Sequence, residues 1–112
     1  MEIKIFRANR GEGKTEWLVD RGIEAIEAGY ELIYVGADQS AVNNMWMSKM
    51  HEMCPAKQTY RVFEHKVDNS VKYCFLTDDL MDNLSYASSW RTLIKNLDGL
   101  WYITMNAEDF VG

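Results

Sequence analysis

The residues with the most evident chemistry form one short run near the start of the chain. The run consists of Ala8, Asn9, Arg10, Gly11, Glu12, Gly13, Lys14 and Thr15. The small residues Ala8 and Gly13 allow the backbone to wrap closely around phosphate groups with its N–H groups turned inward. Lys14 brings a compact positive charge to the β- and γ-phosphates of a nucleotide, and the Thr15 hydroxyl is suited to ligate Mg²⁺. The run therefore predicts a loop that binds a nucleoside triphosphate such as ATP together with Mg²⁺.

The segments on either side of this run are those that a phosphate-binding loop requires. Residues 3–6 are a β-prone stretch, and residues 14–28 have helical spacing with Gly29 as the expected carboxy-terminal cap. A helix that begins at the loop directs the positive end of its dipole at the same anion. The alternative is a glycine-rich turn that happens to precede a helix carrying Lys14 and Thr15.

Two charged side chains inside the run need separate interpretations. A carboxylate within the loop opposes a polyphosphate, so we expect the Glu12 side chain to point outward. Arg10 has two interpretations, either folding over the nucleotide or facing solvent, and the sequence favours neither of them.

The rest of the chain alternates between strand and helix patterns. After the first helix we expect a strand at 32–35, a helix from Asp38 or Ser40 to residue 53, a hairpin made from 60–63 and 71–76, a helix at 84–97 closed by Gly99, and a strand at 100–105. Strands that alternate with helices of this length imply parallel pairing with right-handed crossovers. We therefore predict an α/β fold, a three-layer sandwich whose mainly parallel sheet has about four core strands plus the hairpin, in a single domain over residues 1–112.

A second candidate site lies where an apolar run ends in two acids. Asp78 and Asp79 follow the β-prone residues 71–76. With these acids and the loop run, which matches the Walker A pattern, the chain resembles the P-loop NTPases. The resemblance is to the class with an additional strand between the Walker A and Walker B strands. It implies that Asp78 holds Mg²⁺ through water and that Asp79 polarises the attacking water. The family usually has Glu at the second position, and the Asp79 side chain is one methylene shorter.

The alternative interpretation of these acids is structural. Acids after a strand often cap the following helix, and here Asp82 and Asn83 compete with Asp78 and Asp79 for that role.

The resemblance also gives a role to the polar end of the last strand. In this family a polar residue at that place senses the γ-phosphate, and Asn106 is the first candidate, with Thr104 second. Asn106 then completes the expected catalytic set with Lys14 and Asp79. The alternative is an asparagine that simply ends a strand.

Within this family the chain looks like small phage-encoded ATPases, including the ATPase core of DNA-packaging terminases. The resemblance implies Mg²⁺-dependent binding and hydrolysis of ATP or another nucleoside triphosphate in the cytoplasm of a host cell. Two other functions stay open. The fold also suits a non-hydrolysing accessory or inhibitory module that binds a nucleotide or a protein. The opening of the chain is similar to that of small nucleoside kinases as well, but their paired zinc-binding cysteines are missing from this sequence.

Composition and surface pattern limit the expected partners. A net charge of −5 argues against broad adhesion to nucleic acid, although basic and aromatic residues interleave over 57–73. The expected second helix carries more large apolar residues than one buried face requires, which indicates a homo-oligomer or a protein partner. These residues are Met45, Trp46, Met47, Met50 and Met53.

The expected first strand is also a candidate for pairing between subunits. A sheet that stops after the fourth core strand leaves this strand at or near an open edge, and a second subunit is one way to cover such an edge. The chain has neither a run of apolar residues long enough to span a bilayer nor the apolar stretch of a secretory signal at its start, so we expect a cytoplasmic protein.

Overall fold

Five strands and two helices make up the part of the chain that the computed structural model describes, namely residues 2–9, 11–36, 57–59, 70–80 and 90–107. The strands are β1 (Glu2–Ala8), β2 (Glu31–Val35), β3 (Lys57–Thr59), β4 (Tyr73–Thr77) and β5 (Leu100–Asn106), and the helices are α1 (Lys14–Glu27) and α2 (Trp90–Asn96). The fold is α/β, as predicted.

The five strands form one sheet in the order β1-β5-β4-β2-β3, and every neighbouring pair is parallel. The strand β5 therefore lies between β1 and β4, although it is the last strand in sequence. Because all strands run the same way, their carboxyl ends share one edge of the sheet. This edge holds the loop that follows β1 and the acids that follow β4.

Each face of the sheet packs against one helix. On one face, α1 covers a cluster of buried side chains from three strands: Leu32, Tyr34, Cys74, Leu76 and Tyr102, with Leu18 and Ala25 from the helix. On the other face, Ile94 of α2 and Leu97 pack against a second cluster, which includes Ile33, Val35, Phe75, Trp101, Ile103 and Met105. The described residues thus form three layers, and the central strands are buried on both faces.

Aromatic rings join the strands to each other and to α1. Trp17 stacks on Phe6 of β1 with ring centroids 5.1 Å apart, and meets Tyr102 of β5 edge-on at 5.7 Å. On the opposite face, Phe75 and Trp101 stack at 4.9 Å. Because Trp17 lies in the first turn of α1, its contacts with Phe6 and Tyr102 place the start of the helix against β1 and β5.

The helix α1 agrees closely with its prediction from sequence. It begins at Lys14 and ends at Glu27, and Gly29 follows with φ of 89°, the left-handed conformation expected of a terminating glycine. Its buried residues Leu18, Gly22 and Ala25 recur at helical spacing, so one stripe of the helix faces the sheet.

The predicted hairpin is wrong for β4. Both hydrogen-bonding edges of β4 pair with parallel strands, one with β2 and one with β5, so no edge is left for an antiparallel partner. The β propensity of residues 71–76 identified a strand correctly but gave no information on its partners. The other half of the predicted hairpin, residues 60–63, lies outside the described residues, as does the predicted second helix with Met45, Trp46, Met47, Met50 and Met53.

Gly99 has a different role from the helix cap predicted for it. The helix α2 ends at Asn96, three residues earlier. A Cβ atom at Gly99 would lie 2.7 Å from the backbone oxygen of Tyr73 and 2.9 Å from the Phe75 ring. The glycine is therefore required because β5 begins in close contact with β4.

No helix in the described ranges combines the length and the apolar character that crossing a bilayer requires.

The buried thiol of Cys74 gives a test of the core. Burial raises the pKa of Cys74 to about 12, above the value of 9.0 that an exposed thiol has. Between these values the unfolded chain has lost the thiol proton while the folded chain retains it. Stability is therefore complete below about pH 9 and falls as the pH rises, by up to about 1.4 kcal/mol per pH unit.

We expect the free energy of unfolding to fall more between about pH 8 and pH 10 in the native chain than in a Cys74→Ala variant. Denaturant titrations at both pH values measure this difference, and the comparison with Cys74→Ala removes the contribution of lysines and tyrosines. Equal losses in the two proteins would contradict the burial of the thiol.

Candidate functional site

The candidate residues lie at the carboxyl edge of the sheet, where three strand ends meet. Ala8 at the end of β1 is in register with Asn106 at the end of β5, and Thr77 ends β4 beside Ile103. In open α/β sheets this edge is where ligands bind, because loops from several strands converge there. The loop of residues 9–13 and the start of α1 stand at the same edge.

Two glycines set the path of the loop. Gly11 and Gly13 have φ of 81° and 84°, in the left-handed region that side-chain-bearing residues avoid. A Cβ atom at either position would meet no atom within 4 Å, so conformation rather than space requires glycine at both. The carbonyl of Gly13 accepts the N–H of Trp17 at 2.9 Å and so begins α1.

The amino terminus of α1 is open to an anion. Gly13 is the N-cap residue, and no side chain caps the helix there. The first N–H groups of a helix have no partner within the helix, and they carry its positive dipole end. Lys14 and Thr15, the first two residues of α1, are partly buried at this point.

Glu12 stabilises the loop through hydrogen bonds to its backbone. Its residue is exposed, as expected, but its carboxylate turns back and accepts the N–H of Asn9 at 2.7 Å. In return the N–H of Glu12 donates to the carbonyl of Asn9 at 3.1 Å. These two hydrogen bonds hold the turn closed. The first of them also partly compensates the carboxylate charge that was expected to oppose a polyphosphate. Arg10 lies outside the described residues, so neither interpretation of it is tested.

A chain of hydroxyl and carboxylate contacts links α1, β4 and β5. The Thr15 hydroxyl donates to Oδ2 of Asp78 at 3.0 Å. The other oxygen of the same carboxylate, Oδ1, accepts the hydroxyl of Thr104 at 2.5 Å. Thr104 also accepts the backbone N–H of Asp79 at 2.8 Å. Residues far apart in sequence are thus joined through one carboxylate and one hydroxyl.

Asp79 has an unusual backbone conformation at the end of this chain of contacts. Its φ is 52°, and no other described residue except glycine has a positive φ. Aspartate tolerates this region better than most residues, and the hydrogen bond from its N–H to Thr104 holds it there.

The structure brings the described members of the predicted site to one edge of the sheet, where Thr104 and Asn106 have different surroundings. Asn106 is buried beside Ala8, and Thr104 is fully buried between the two acids. The hydroxyl of Thr104 is engaged by Asp78 and Asp79, which makes it a residue that positions the acids. Sequence reasoning gave it only the second place as a phosphate sensor. The one sequence signal was the spacing of two between Thr104 and Asn106, which puts both on the same face of β5.

The alternative that the acids cap a helix stays a prediction: Leu80, directly after Asp79, is helical, but residues 81–89 lie outside the described residues. The oxygen atoms of Thr15 and Asp78 fit Mg²⁺, which binds through one or two protein oxygens together with phosphate and water. No group of three or more His, Cys, Asp or Glu side chains suited to a metal occurs in the described ranges.

A cleft of about 330 Å³ lies at the other end of the sheet, lined by the first residues of the strands, including Glu2, Tyr73 and Leu100. It contains none of the predicted site residues and is widely open to solvent. Since the strand-end polar groups converge at the carboxyl edge, we place the candidate site there and not in this cleft.

Comparison of the chain with protein-family models, with curated proteins and with solved structures finds no match. The function is therefore inferred from the chemistry of the site.

The hydroxyl of Thr104 is the group most easily removed without changing shape. A Thr104→Val variant leaves the Asp78 carboxylate and the Asp79 N–H without this partner in a buried position, so we expect it to lose about 1–3 kcal/mol of stability. Denaturant unfolding measures the loss. Thr104→Ser keeps the hydroxyl, and we expect it to retain most of the stability. A Thr104→Val variant as stable as the native chain would show that the two contacts contribute nothing.

Proposed function

We propose that this chain binds a nucleoside triphosphate, most simply ATP, together with Mg²⁺ at the carboxyl edge of its sheet and hydrolyses it. The observation that carries the proposal is the 3.0 Å contact between the Thr15 hydroxyl and the Asp78 carboxylate. The first turn of the helix after the loop and the acid after β4 come from distant parts of the chain, and a Mg²⁺–nucleotide site needs both of them in one place.

The phosphates would be held by the loop and the start of α1. The left-handed glycines turn the backbone so that the loop can enclose an anion, and the helix adds its uncapped N–H groups and its dipole. Lys14 follows Gly13 directly and brings its ammonium to the β- and γ-phosphates. Electrostatic attraction at this point would give most of the affinity for the triphosphate tail.

The ion would be held by Thr15 and Asp78. The ion screens the negative charge of the phosphates and polarises the bond that breaks. Thr104 fixes the Asp78 carboxylate by donating a hydrogen bond to Oδ1, so that Oδ2 stays directed at Thr15. The acid is thereby held in place before a nucleotide arrives, which reduces the reorganisation needed on binding.

Hydrolysis would occur by direct attack of water, without a covalent intermediate. Asp79 would accept a hydrogen bond from that water and orient it, and Asn106 at the end of β5 would contact the γ-phosphate. The Thr104 hydroxyl also accepts the backbone N–H of Asp79. One hydroxyl therefore holds both Asp78, which would bind the ion, and Asp79, which would orient the water.

The topology supports the same proposal. In the sheet, β5 lies next to the loop-bearing strand β1 and separates it from β4, the strand that precedes the two acids. The resemblance to the P-loop NTPases with an additional strand implies this arrangement. We infer a compact P-loop domain of that class, related to small phage-encoded ATPases and acting in the cytoplasm.

A second function is favoured by two features of the site. The Glu12 carboxylate stays at the loop, where it reduces the attraction for a polyphosphate, and Asp79 has a shorter side chain than glutamate. Both features fit a module that binds a nucleotide or a protein with little turnover. The two functions differ in phosphate release and not in the fold.

The role of Lys14 is tested by nucleotide binding. We expect Lys14→Ala to weaken the binding of Mg²⁺–ATP by about tenfold or more, because the variant loses a full positive charge placed at the phosphates. Isothermal titration calorimetry measures the affinity. Lys95→Ala, which removes an exposed lysine from α2, is the matched control and should bind as the native chain does. Unchanged affinity in Lys14→Ala would refute the assignment.

The role of Asp79 is tested by phosphate release. We expect the native chain to release phosphate from Mg²⁺–ATP above the uncatalysed rate, and Asp79→Asn to lower kcat by about 100-fold or more while binding ATP with similar affinity. Asp98→Asn, at an exposed position beyond α2, is the control. Binding without phosphate release in the native chain would support the non-hydrolysing module instead.

A further inference from the structure

The strand β1 is the outermost strand at one end of the sheet, and among the described strands it pairs only with β5. The N–H of Glu2 donates to the carbonyl of Gly99, and the carbonyl of Ala8 accepts the N–H of Ala107. Backbone groups alternate in direction along a strand, so the even-numbered residues of β1 turn their N–H and C=O groups toward β5. Those of Ile3, Ile5 and Arg7 point to the other side.

The outer strand β1 exposes two large apolar side chains on one face. Ile3 and Ile5 are 43% and 45% exposed, although their neighbours in register on β5, Trp101 and Ile103, are buried. A regular edge strand of this kind, with β-branched side chains and no proline, is a template for pairing with another strand.

The charge that often protects such an edge is directed elsewhere. The ammonium of Lys4 lies 3.4 Å from the carboxylate of Glu2 and 5.9 Å from the centre of the Tyr102 ring, on the face covered by α1. On the face that carries Ile3 and Ile5, the charged residue of β1 is Arg7, at the carboxyl end of the strand.

We propose that β1 pairs with β1 of a second copy of this chain in antiparallel orientation, with Ile5 opposite Ile5 of the partner at a two-fold axis. In this register the two Ile5 residues form a pair of backbone hydrogen bonds with each other. Ile3 of each copy forms a pair with Arg7 of the other copy. All the outward N–H and C=O groups of Ile3, Ile5 and Arg7 are then used.

Hydrogen bonding and charge together favour this register, since a shift that puts Ile5 opposite Arg7 leaves the outward groups of Ile3 without a partner in β1. A shift that puts Ile3 opposite Ile5 places Lys4 directly opposite Lys4 of the second copy, and like charges in that position are destabilising. A further shift that centres the pair on Ile3 leaves the outward groups of Arg7 without a partner strand. With Ile5 at the centre, Lys4 lies opposite Phe6, the two Ile5 side chains pair directly, and each Ile3 lies next to them, opposite Arg7 of the other copy.

The dimer joins the two sheets into one continuous sheet. The two candidate nucleotide sites lie at opposite edges of it, because the paired strands run in opposite directions. The proposal does not depend on nucleotide binding, since it rests on the edge of β1 and not on the loop.

Cysteine cross-linking tests the register. Residues in a hydrogen-bonded antiparallel pair have Cα atoms about 5.5 Å apart, within the range that a disulfide spans. In a Cys54→Ser background, whose other cysteine is the buried Cys74, we expect Ile5→Cys to form a covalent dimer on mild oxidation.

Two controls accompany this experiment. Ile3→Cys should stay monomeric on a non-reducing gel, because the two copies of residue 3 would be about 14 Å apart. Ile23→Cys, at a similarly exposed isoleucine of α1, should also stay monomeric. Cross-linking of Ile3→Cys as readily as Ile5→Cys, or of neither, would overturn the proposal.

Sedimentation of the native chain gives an independent test. We expect a dimer that Ile5→Lys converts to a monomer, because the variant places two positive charges opposite each other at the centre of the pair. Ile23→Lys should remain dimeric. A native chain that sediments as a monomer, with its edge covered in some other way, or an Ile5→Lys variant that remains dimeric, would refute pairing through β1.

Discussion

The Asp78 carboxylate holds the functional edge of this molecule together. One of its oxygens accepts the hydroxyl of Thr15 in α1 and the other accepts the hydroxyl of Thr104 in β5, while Asp78 itself follows β4. Three elements that are distant in sequence thus meet at one ionisable group. Hydrogen bonds to a carboxylate are among the stronger ones in proteins, because the acceptor is charged. The same contacts that position the start of α1 also set the direction of the Asp78 carboxylate, a candidate metal ligand.

Local features of the structure were well predicted from the sequence. The limits of α1 follow from helical spacing and from Gly29, both of which act within a few residues. The acids after β4 and the polar end of β5 were also found, because a strand followed by polar residues is a local pattern. The limits of β1 are wider than the β-prone residues 3–6, since pairing with β5 extends the strand to Glu2 and Ala8.

Tertiary pairing was predicted only in part: the parallel sheet was predicted, and the partners of β4 were not. The hairpin assigned to β4 was wrong because β propensity does not identify partners, and both edges of β4 are taken by parallel strands. The bridging role of Thr104 depends on the register of β5 against β4, which no local pattern encodes. Glycine shows the same limit. Gly13 is needed for its backbone angle and Gly99 for close approach of β5 to β4, and the sequence alone does not distinguish these reasons.

The position of β1 has a consequence for how the chain folds during its synthesis. Its partner β5 is the last of the described strands in sequence, with Glu2 beside Leu100, so the contact joins residues 98 positions apart in the chain. Such long-range pairing is slow to form. While the chain is being synthesised, β1 emerges first and has both edges unpaired until β5 leaves the ribosome. Among the described strands, β1 is therefore the one with the longest exposure to misassociation before it joins the sheet.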